Sequence, residues 1–162
     1  MYLAEDPQLE RQVAIKVPFD DDSVDNSIIT RFHREAKSAA ALRHPNICPI
    51  YEVAQINGIH YLAMAYIDGH PLSKFIKKDQ HQPIKTVITL ILKLALALEE
   101  AHKKGIIHRD LKPANIMIDR RKEPIIMDFG LARKEGHADE NLTQAGQILG
   151  NCLASYPPRG NW

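Results

Sequence analysis

The segment His108-Arg109-Asp110-Leu111-Lys112-Pro113-Ala114-Asn115, followed by Asp128-Phe129-Gly130, decides the fold expected for this chain. It brings two carboxylates, a lysine and an amide into two short motifs, with Asp128 eighteen residues after Asp110. The same residues could form a capped hairpin, since Asp110 and Asn115 favour turns and Asp128 could end a strand. A lone Asp-Phe-Gly is weakly specific. Eight ordered residues with a second motif at this spacing favour a chemical site.

The first half of the chain is predicted to form a small sheet with one helix. The predicted elements are strands at Tyr2–Glu5 and Val13–Val17, a helix at Asn26–Leu42, and strands at Ile47–Ile56 and Ile59–Ile67. Pro18 closes the second strand, apolar residues at helical spacing define the helix, and His44-Pro45-Asn46 ends it. Asn57-Gly58 between two apolar runs predicts a hairpin with a type I′ turn.

The second half is predicted to begin with a helix and to continue with a hairpin. The predicted elements are a helix at Pro83–Lys104, short strands at Asn115–Ile118 and Pro124–Met127, and a mobile polar loop beyond Leu131. The helix has apolar residues at steps of three and four, and Gly105 is a natural C-terminal stop. A break near Asp68-Gly69 divides a sheet-rich half from a helix-led half. We therefore expect an α+β fold with a ligand cleft between the halves.

Composition excludes several classes of protein. The 162 residues suffice for one domain with a core, and 21 Lys and Arg against 20 Asp and Glu give no excess positive charge for nucleic acid. Cys48 and Cys152 show no Cys-x-x-Cys spacing, which favours isolated thiols in the cytoplasm over disulfides or zinc. The most apolar segment, Val87–Leu98, contains Lys93 and is shorter than the ~20 apolar residues of a membrane helix. The N-terminus lacks the pattern of a secretory signal.

The two motifs resemble the catalytic loop and metal-binding triplet of eukaryotic-like protein kinases, in particular the bacterial serine/threonine branch. The resemblance runs from about Tyr2 to Gly150. It implies a kinase-like fold of two lobes, with residues 1–67 as the N-terminal lobe and residues 68–150 as the C-terminal lobe through the activation loop. Residues 151–162 differ from the family and are predicted to be a divergent tail.

The resemblance assigns phosphoryl-transfer roles to four residues and a supporting role to His108. Asp110 would accept or orient the proton of the substrate hydroxyl. Lys112 would reach the transferred phosphate, and a lysine at this position is typical of serine/threonine kinases. Asn115 and Asp128 would bind magnesium, which prefers hard oxygen ligands. His108 is expected to be a packed, hydrogen-bonded residue and not a general base.

The resemblance also assigns an ATP site to the first half. Lys16 would contact the α- and β-phosphates and pair with Glu35. Ala14 would lie against the adenine ring, with Met64 at the back of that pocket. Ala65-Tyr66-Ile67 would form the hinge, where the backbone of Ala65 and Ile67 meets the adenine edge. Without the resemblance, Lys16 could lie on a solvated strand face, Glu35 could make i,i+4 pairs on a helix, and Ala14 and Met64 could be ordinary core.

Both borders of the sequence depart from the family pattern. No Gly-x-Gly-x-x-Gly loop occurs, and the residues after Gly150 do not continue as the family does. We expect an incomplete domain with weak or no turnover, and apolar faces on the Pro83–Lys104 helix that a partner chain could cover. One hypothesis for the tail is a shifted reading frame, because possible codons for Tyr156–Arg159 also encode Ser-Pro-Glu. Arg109 suggests control by loop phosphorylation, with Thr143 as the candidate site.

The sequence therefore leaves three candidate functions. The first is a serine/threonine kinase that transfers the γ-phosphoryl of Mg-ATP to a protein hydroxyl. The second is a nucleotide-binding or scaffold fragment without catalysis, and an Asp110→Asn variant would distinguish it from the first. The third is a small-molecule phosphotransferase, which Lys112-Pro113 and the intact Asp-Phe-Gly disfavour.

Overall fold

The computed structural model describes residues 1–18, 25–76 and 81–129. They form two antiparallel sheets, each accompanied by one long helix. Several expectations fall outside the described residues: Gly130, the loop beyond Leu131, the candidate phosphosite Thr143 and the tail at residues 151–162. The division of the chain at residues 67 and 68 stays a prediction.

The first sheet contains the predicted strands of the first half. Its elements are β1 (Tyr2–Asp6), β2 (Arg11–Lys16), α1 (Asn26–Ala40), β3 (Ile50–Ile56) and β4 (Ile59–Ala65), and the strand order is β1-β2-β4-β3. All neighbouring strands are antiparallel. Asn57 has φ 51° and Gly58 has φ 84°, the positive values that a type I′ turn requires. The hairpin prediction is therefore confirmed.

Helix α1 packs on one face of this sheet. The side chain of Asp25 accepts a hydrogen bond of 2.8 Å from the amide of Ser27, which caps the start of the helix. Phe32 and Ala36 are buried against the sheet residues Leu62 and Met64. The helix therefore lies over the same face of the sheet as the side chain of Ala14, which belongs to that buried cluster.

The second sheet has one strand more than the sequence indicated. Its elements are β5 (Gly69–Pro71), β6 (Ile116–Asp119) and β7 (Pro124–Ile126), in the order β5-β6-β7, with α2 (Ile84–Lys103) preceding β6. The predicted helix and the β6–β7 hairpin are confirmed, but Asp68-Gly69 introduces a strand where only a break was expected. A Cβ atom at Gly69 would lie 2.1 Å from the carbonyl oxygen of Ile118. Glycine is needed here because β5 approaches the backbone of β6 closely.

The loop after α1 joins the two sheets. The amide of Cys48 donates to the carbonyl of Ile126 at 2.9 Å, and the amide of Ile126 donates to the carbonyl of Asn46 at 2.8 Å. The side chain of Asn46, buried with 6% of its surface exposed, donates to the carbonyl of Pro124 at 2.7 Å. Strand β7 is therefore fixed to the first half immediately before the Asp-Phe-Gly segment.

Helix α2 has one buried face and one exposed apolar face. Leu94, Ala97 and Ala101 are buried in the core. On its outer side Ile84 is 78% exposed and Ile88 60% exposed. No helix within the described ranges has the length and apolar character needed to cross a membrane.

Candidate active site

The loop that begins at His108 folds back on itself around Asp110. The amide Nδ2 of Asn115 donates to the backbone oxygen of Asp110 at 2.8 Å and to its carboxylate Oδ2 at 3.0 Å. A short 3-10 turn at Pro113–Asn115 makes this return possible, and proline suits the first position of such a turn. The carboxylate and the amide are thus held in contact by the loop itself.

Lys112 is the second partner of Asp110. Its Nζ atom lies 2.7 Å from Oδ2 of Asp110. This ammonium group lowers the pKa of Asp110 below its ordinary value, and the amide of Asn115 lowers it further, while partial desolvation opposes both. Asp110 is therefore an ionised carboxylate at neutral pH, suited to accepting a hydrogen bond from a hydroxyl group.

Asp128 and Asn115 are connected through the backbone. The amide of Met127 donates to the carbonyl of Asn115 at 2.8 Å, so the residue before Asp128 is fixed to the end of the Asp110 loop. Since the Nδ2 of Asn115 is used by Asp110, its Oδ1 is the atom left to face a ligand. The site therefore offers one amide oxygen and one carboxylate from adjacent segments.

His108 contacts the residues on both sides of Asp128. Its Nε2 lies 2.8 Å from the carbonyl oxygen of Met127, and its ring packs against Phe129 with centroids 4.8 Å apart. Because a carbonyl only accepts, Nε2 carries the proton. Burial lowers the pKa of His108, although the bond to Met127 opposes this. The residue is a packed, neutral imidazole, in the position that the sequence led us to expect.

Two residues of the site have backbone conformations that are uncommon outside glycine. Arg109 has φ 64° and Asp128 has φ 55°. Such left-handed conformations are unfavourable for most side chains and tend to persist at functional sites, where the surrounding structure fixes them. Here the hydrogen bonds of Met127 to His108 and to Asn115 hold the segment that includes Asp128.

Lys16 reaches this site from the first sheet. Its Nζ lies 2.8 Å from Oδ1 of Asp128, and the two side chains are only 17% and 16% exposed. On the same strand Ala14 lies opposite Met64 in the β2–β4 register, and both are buried. Ala65 and Ile67 follow and are half-buried, with the amide of Ala65 donating to the carbonyl of Pro49 at 2.9 Å. Of the predicted adenine-site residues, Met64 lines a small cavity together with Asp128, and Ala14 lies two residues before Lys16 on β2.

Glu35 has different partners from those expected. Its Oε1 lies 3.0 Å from Nε of Arg31, one turn earlier on α1, and 3.2 Å from a terminal nitrogen of Arg109. The expected Lys16–Glu35 pair is not formed, because two guanidinium groups hold Glu35 while Asp128 holds Lys16. The i,i+4 pair considered as the alternative for Glu35 is present. Arg109 accordingly contacts a carboxylate of α1.

The donor set is compatible with a magnesium ion shared with a nucleotide. Among the described residues no group of three or more His, Cys, Asp or Glu side chains converges as a metal site. Magnesium commonly uses one or two carboxylates and completes its octahedron with phosphate oxygens and water. The carboxylate of Asp128 and the amide oxygen of Asn115 fit that partial role, and Lys16 adds a cation for the phosphates.

Asn46 is a positioning residue that the sequence did not reveal. The sequence pattern His44-Pro45-Asn46 indicated only the end of a helix. The available signal was an amide side chain directly before the apolar Ile47-Cys48, since a buried amide requires a hydrogen-bond partner. That partner is the carbonyl of Pro124, at the start of the strand that leads to Asp128.

The chain is similar to known proteins over most of its length. Residues 1–148 match the family described as the protein kinase domain. The chain is 38% identical over 151 residues to the serine/threonine-protein kinase PrkC of Bacillus subtilis, covering 93% of this chain and 23% of that protein. It is 40% identical over 161 residues to the serine/threonine-protein kinase PknB of Mycolicibacterium smegmatis, covering 97% of this chain and 26% of that protein. The chain thus spans about a quarter of the length of these relatives.

A solved structure gives the same result. The crystal structure of the Mycobacterium tuberculosis PknI kinase domain superposes with a TM-score of 0.72 at 30% identity, covering 82% of this chain and 54% of that one. The shared part therefore corresponds to little more than half of that kinase domain. The α+β, kinase-like fold expected from the sequence is confirmed.

Proposed function

This chain belongs to the protein kinase domain family, and we propose from that premise that it binds Mg-ATP and transfers the γ-phosphoryl group to a serine or threonine hydroxyl of a protein. The proposal rests on the contact between the two motifs. The hydrogen bond from Met127 to Asn115 connects Asp128 to the Asp110 loop, and Lys16 forms an ion pair with Asp128.

In this proposal each residue supplies position or charge. Asp128 and the Oδ1 of Asn115 would hold magnesium, which when bound neutralises charge on the phosphates. Lys16, now 2.8 Å from Asp128, would contact phosphate oxygens as well. Ala14 and Met64 would bound the adenine pocket, with the backbone of Ala65 and Ile67 at its edge.

Asp110 would orient the attacking hydroxyl group. A carboxylate whose pKa is held low is a weak base but a strong hydrogen-bond acceptor, so its main contribution is alignment. Lys112, 2.7 Å from Asp110, can contact the transferred phosphoryl group from the same side. The pair thus places an acceptor for the hydroxyl beside a cation for the phosphate.

A second candidate is nucleotide binding without transfer. Glu35 is held by Arg31 and Arg109, so it does not support Lys16 in this arrangement. The outer face of α2 is also exposed, including Ile84 and Ile88, and a partner chain could cover it. In this case the chain would act by association. A cytoplasmic location, inferred from the cysteine pattern, is part of both proposals.

The decisive experiment measures binding and transfer separately. Wild type, Asp110→Asn and Asp128→Asn are incubated with Mg-ATP labelled in the γ-phosphate and a protein acceptor rich in serine and threonine, and nucleotide affinity is measured by calorimetry. The proposal predicts that Asp110→Asn keeps affinity but loses transfer by about 100-fold or more, whereas Asp128→Asn loses both. Binding in wild type with transfer equal to that of Asp110→Asn would favour the second candidate.

A further inference from the structure

Two histidines outside the candidate active site form a direct hydrogen bond between α1 and the sheet. Nε2 of His33, on α1, lies 2.8 Å from Nδ1 of His60, on β4. The two rings are nearly perpendicular, with an interplanar angle of 80° and centroids 5.0 Å apart. Both residues are half-buried. We call this contact the His33–His60 pair.

The contact tolerates only certain protonation states. With both rings neutral, one facing nitrogen donates its proton and the other accepts. A first additional proton can enter at a nitrogen that faces away, and the hydrogen bond survives as a charge-assisted one. A second additional proton leaves two N–H groups facing each other at 2.8 Å, so the bond is lost and two positive charges repel.

The charges around the pair do not offset a second proton. On α1, Lys37 lies one turn after His33 and acts with His60 to lower the pKa of His33, although burial is the larger cause. On β3 the residue opposite His60 is the uncharged Gln55. On β4 the adjacent Tyr61 interacts with Glu52 of β3. The charged groups that act on His33 are therefore cationic.

The location of the pair connects it to the candidate active site. His33 follows Phe32, which is buried in the core, and precedes Glu35 by two residues. Any movement of α1 on the sheet displaces Glu35 relative to Arg109, to which it is bonded at 3.2 Å. The His33–His60 bond ties α1 to β4 beside the apolar contacts of Phe32 and Ala36 with the sheet.

We propose that His33 and His60 are positioning residues, which hold α1 against β4 while the pair carries at most one additional proton and release α1 when it carries two. Acidification would then loosen α1 and move Glu35. The effect on catalysis rests on the proposed phosphoryl transfer, but the attachment of α1 does not depend on that function.

The test measures amide hydrogen exchange in the full chain without nucleotide, at pH 7.5 and 5.5, with correction for intrinsic rates. Helix α2 is the internal control, because its core contacts involve β7 and not the His33–His60 pair. In wild type we expect the protection of α1 to fall relative to that of α2 by about fivefold on acidification, as expected for the loss of one hydrogen bond between α1 and β4. A His60→Gln variant can still bond to His33 but cannot place a second positive charge opposite it. The change of α1 protection with pH should therefore stay within about twofold of the change in α2.

Two results would overturn the proposal: equal loss of protection in α1 and α2 of wild type, or the same pH response in His60→Gln as in wild type. If His60→Gln does not fold, His33→Gln tests the same pair from the other side, and the wild-type comparison of the two helices decides by itself. Because this experiment contains no nucleotide, a negative result would contradict the role of the His33–His60 pair and would say nothing about the proposed phosphoryl transfer.

Discussion

Lys16 and Asp128 form an ion pair of 2.8 Å although 112 residues separate them in the chain. The pair joins β2 of the first sheet to the segment that follows β7 of the second. Both side chains are largely shielded from water, so the contact is screened less than a surface ion pair. In the proposed function Lys16 would contact the phosphates and Asp128 the magnesium, so that bound Mg-ATP would come between the two side chains.

Removal of the ammonium group should therefore weaken nucleotide binding. We expect Lys16→Met to lower the affinity for Mg-ATP by at least about tenfold, because it deletes a charged contact of the kind worth about 1.5–3 kcal/mol. Calorimetric titration measures this change. Lys93→Met is the matched control, since Lys93 pairs with Glu123 at 2.6 Å on the surface of α2. Equal affinities in the two variants would contradict the assigned role of Lys16.

The lowered pKa of Asp110 predicts a particular pH dependence. Because the pKa of Asp110 is lowered, its carboxylate stays ionised to a lower pH than usual. In a profile of transfer rate against pH, the fall on the acid side should therefore lie below the ordinary carboxyl pKa of 3.8. The lowered pKa also contributes to the stability of the fold. This contribution is fully present above the ordinary carboxyl pKa and is lost as the pH falls through the lowered pKa of Asp110.

Lys112→Met should move the acid-side fall in transfer rate to higher pH, because Lys112 is the largest cause of the lowered pKa of Asp110. The variant should also lower the rate constant for transfer. The measurement is a pH profile of transfer for wild type and variant, above the pH where each unfolds. An unchanged acid limb in Lys112→Met would show that Asp110 titrates independently of Lys112.

The buried amide of Asn46 should contribute measurably to stability. Asn46→Ala removes the donor to Pro124 and leaves that carbonyl without its 2.7 Å partner, which typically costs about 1–3 kcal/mol of unfolding free energy. Urea unfolding measures the loss. Gln55→Ala, on the edge strand β3, is the control and should change stability by less than about 0.5 kcal/mol. Similar values for both variants would mean that the Asn46 bond does not hold β7.

Two glycines should respond to alanine for different reasons. Gly69→Ala places a Cβ 2.1 Å from a backbone oxygen of β6, so β5 must move away, at a cost of about 1–3 kcal/mol or more. Gly105→Ala meets no atom within 4 Å and is strained only by its φ of +71°, a cost of about 1–2 kcal/mol. Hydrogen exchange of β6 separates the two: Gly69→Ala should expose its amides, and Gly105→Ala should not. Protection of β6 in Gly69→Ala would contradict the close approach.

Much of the fold could be predicted because its signals are local. Asn57-Gly58 requires positive φ at two successive positions, and α2 carries its apolar residues at helical spacing. The strand β5 could not be predicted, because Gly69-His70-Pro71 has only three residues and no apolar alternation. Its pairing depends on contact with β6, more than forty residues later.

The sequence named candidate site residues but could not predict how their charges pair. The motifs identified Lys16, Glu35 and Asp128, yet which carboxylate takes which cation depends on distances that sequence does not contain. Arg109 competes for Glu35 only because the Asp110 loop faces α1. The His33–His60 pair has no sequence signal for the same reason.

Thermal unfolding of the full chain with and without Mg-ATP, with Asp128→Asn as the control, tests whether the site at Lys16 and Asp128 binds nucleotide. A ligand at 100 times its dissociation constant adds ~2.7 kcal/mol, which should raise the unfolding temperature of wild type by several degrees. We expect this increase in wild type and its loss in Asp128→Asn. A cooperative transition in wild type that Mg-ATP leaves at the same temperature would contradict it.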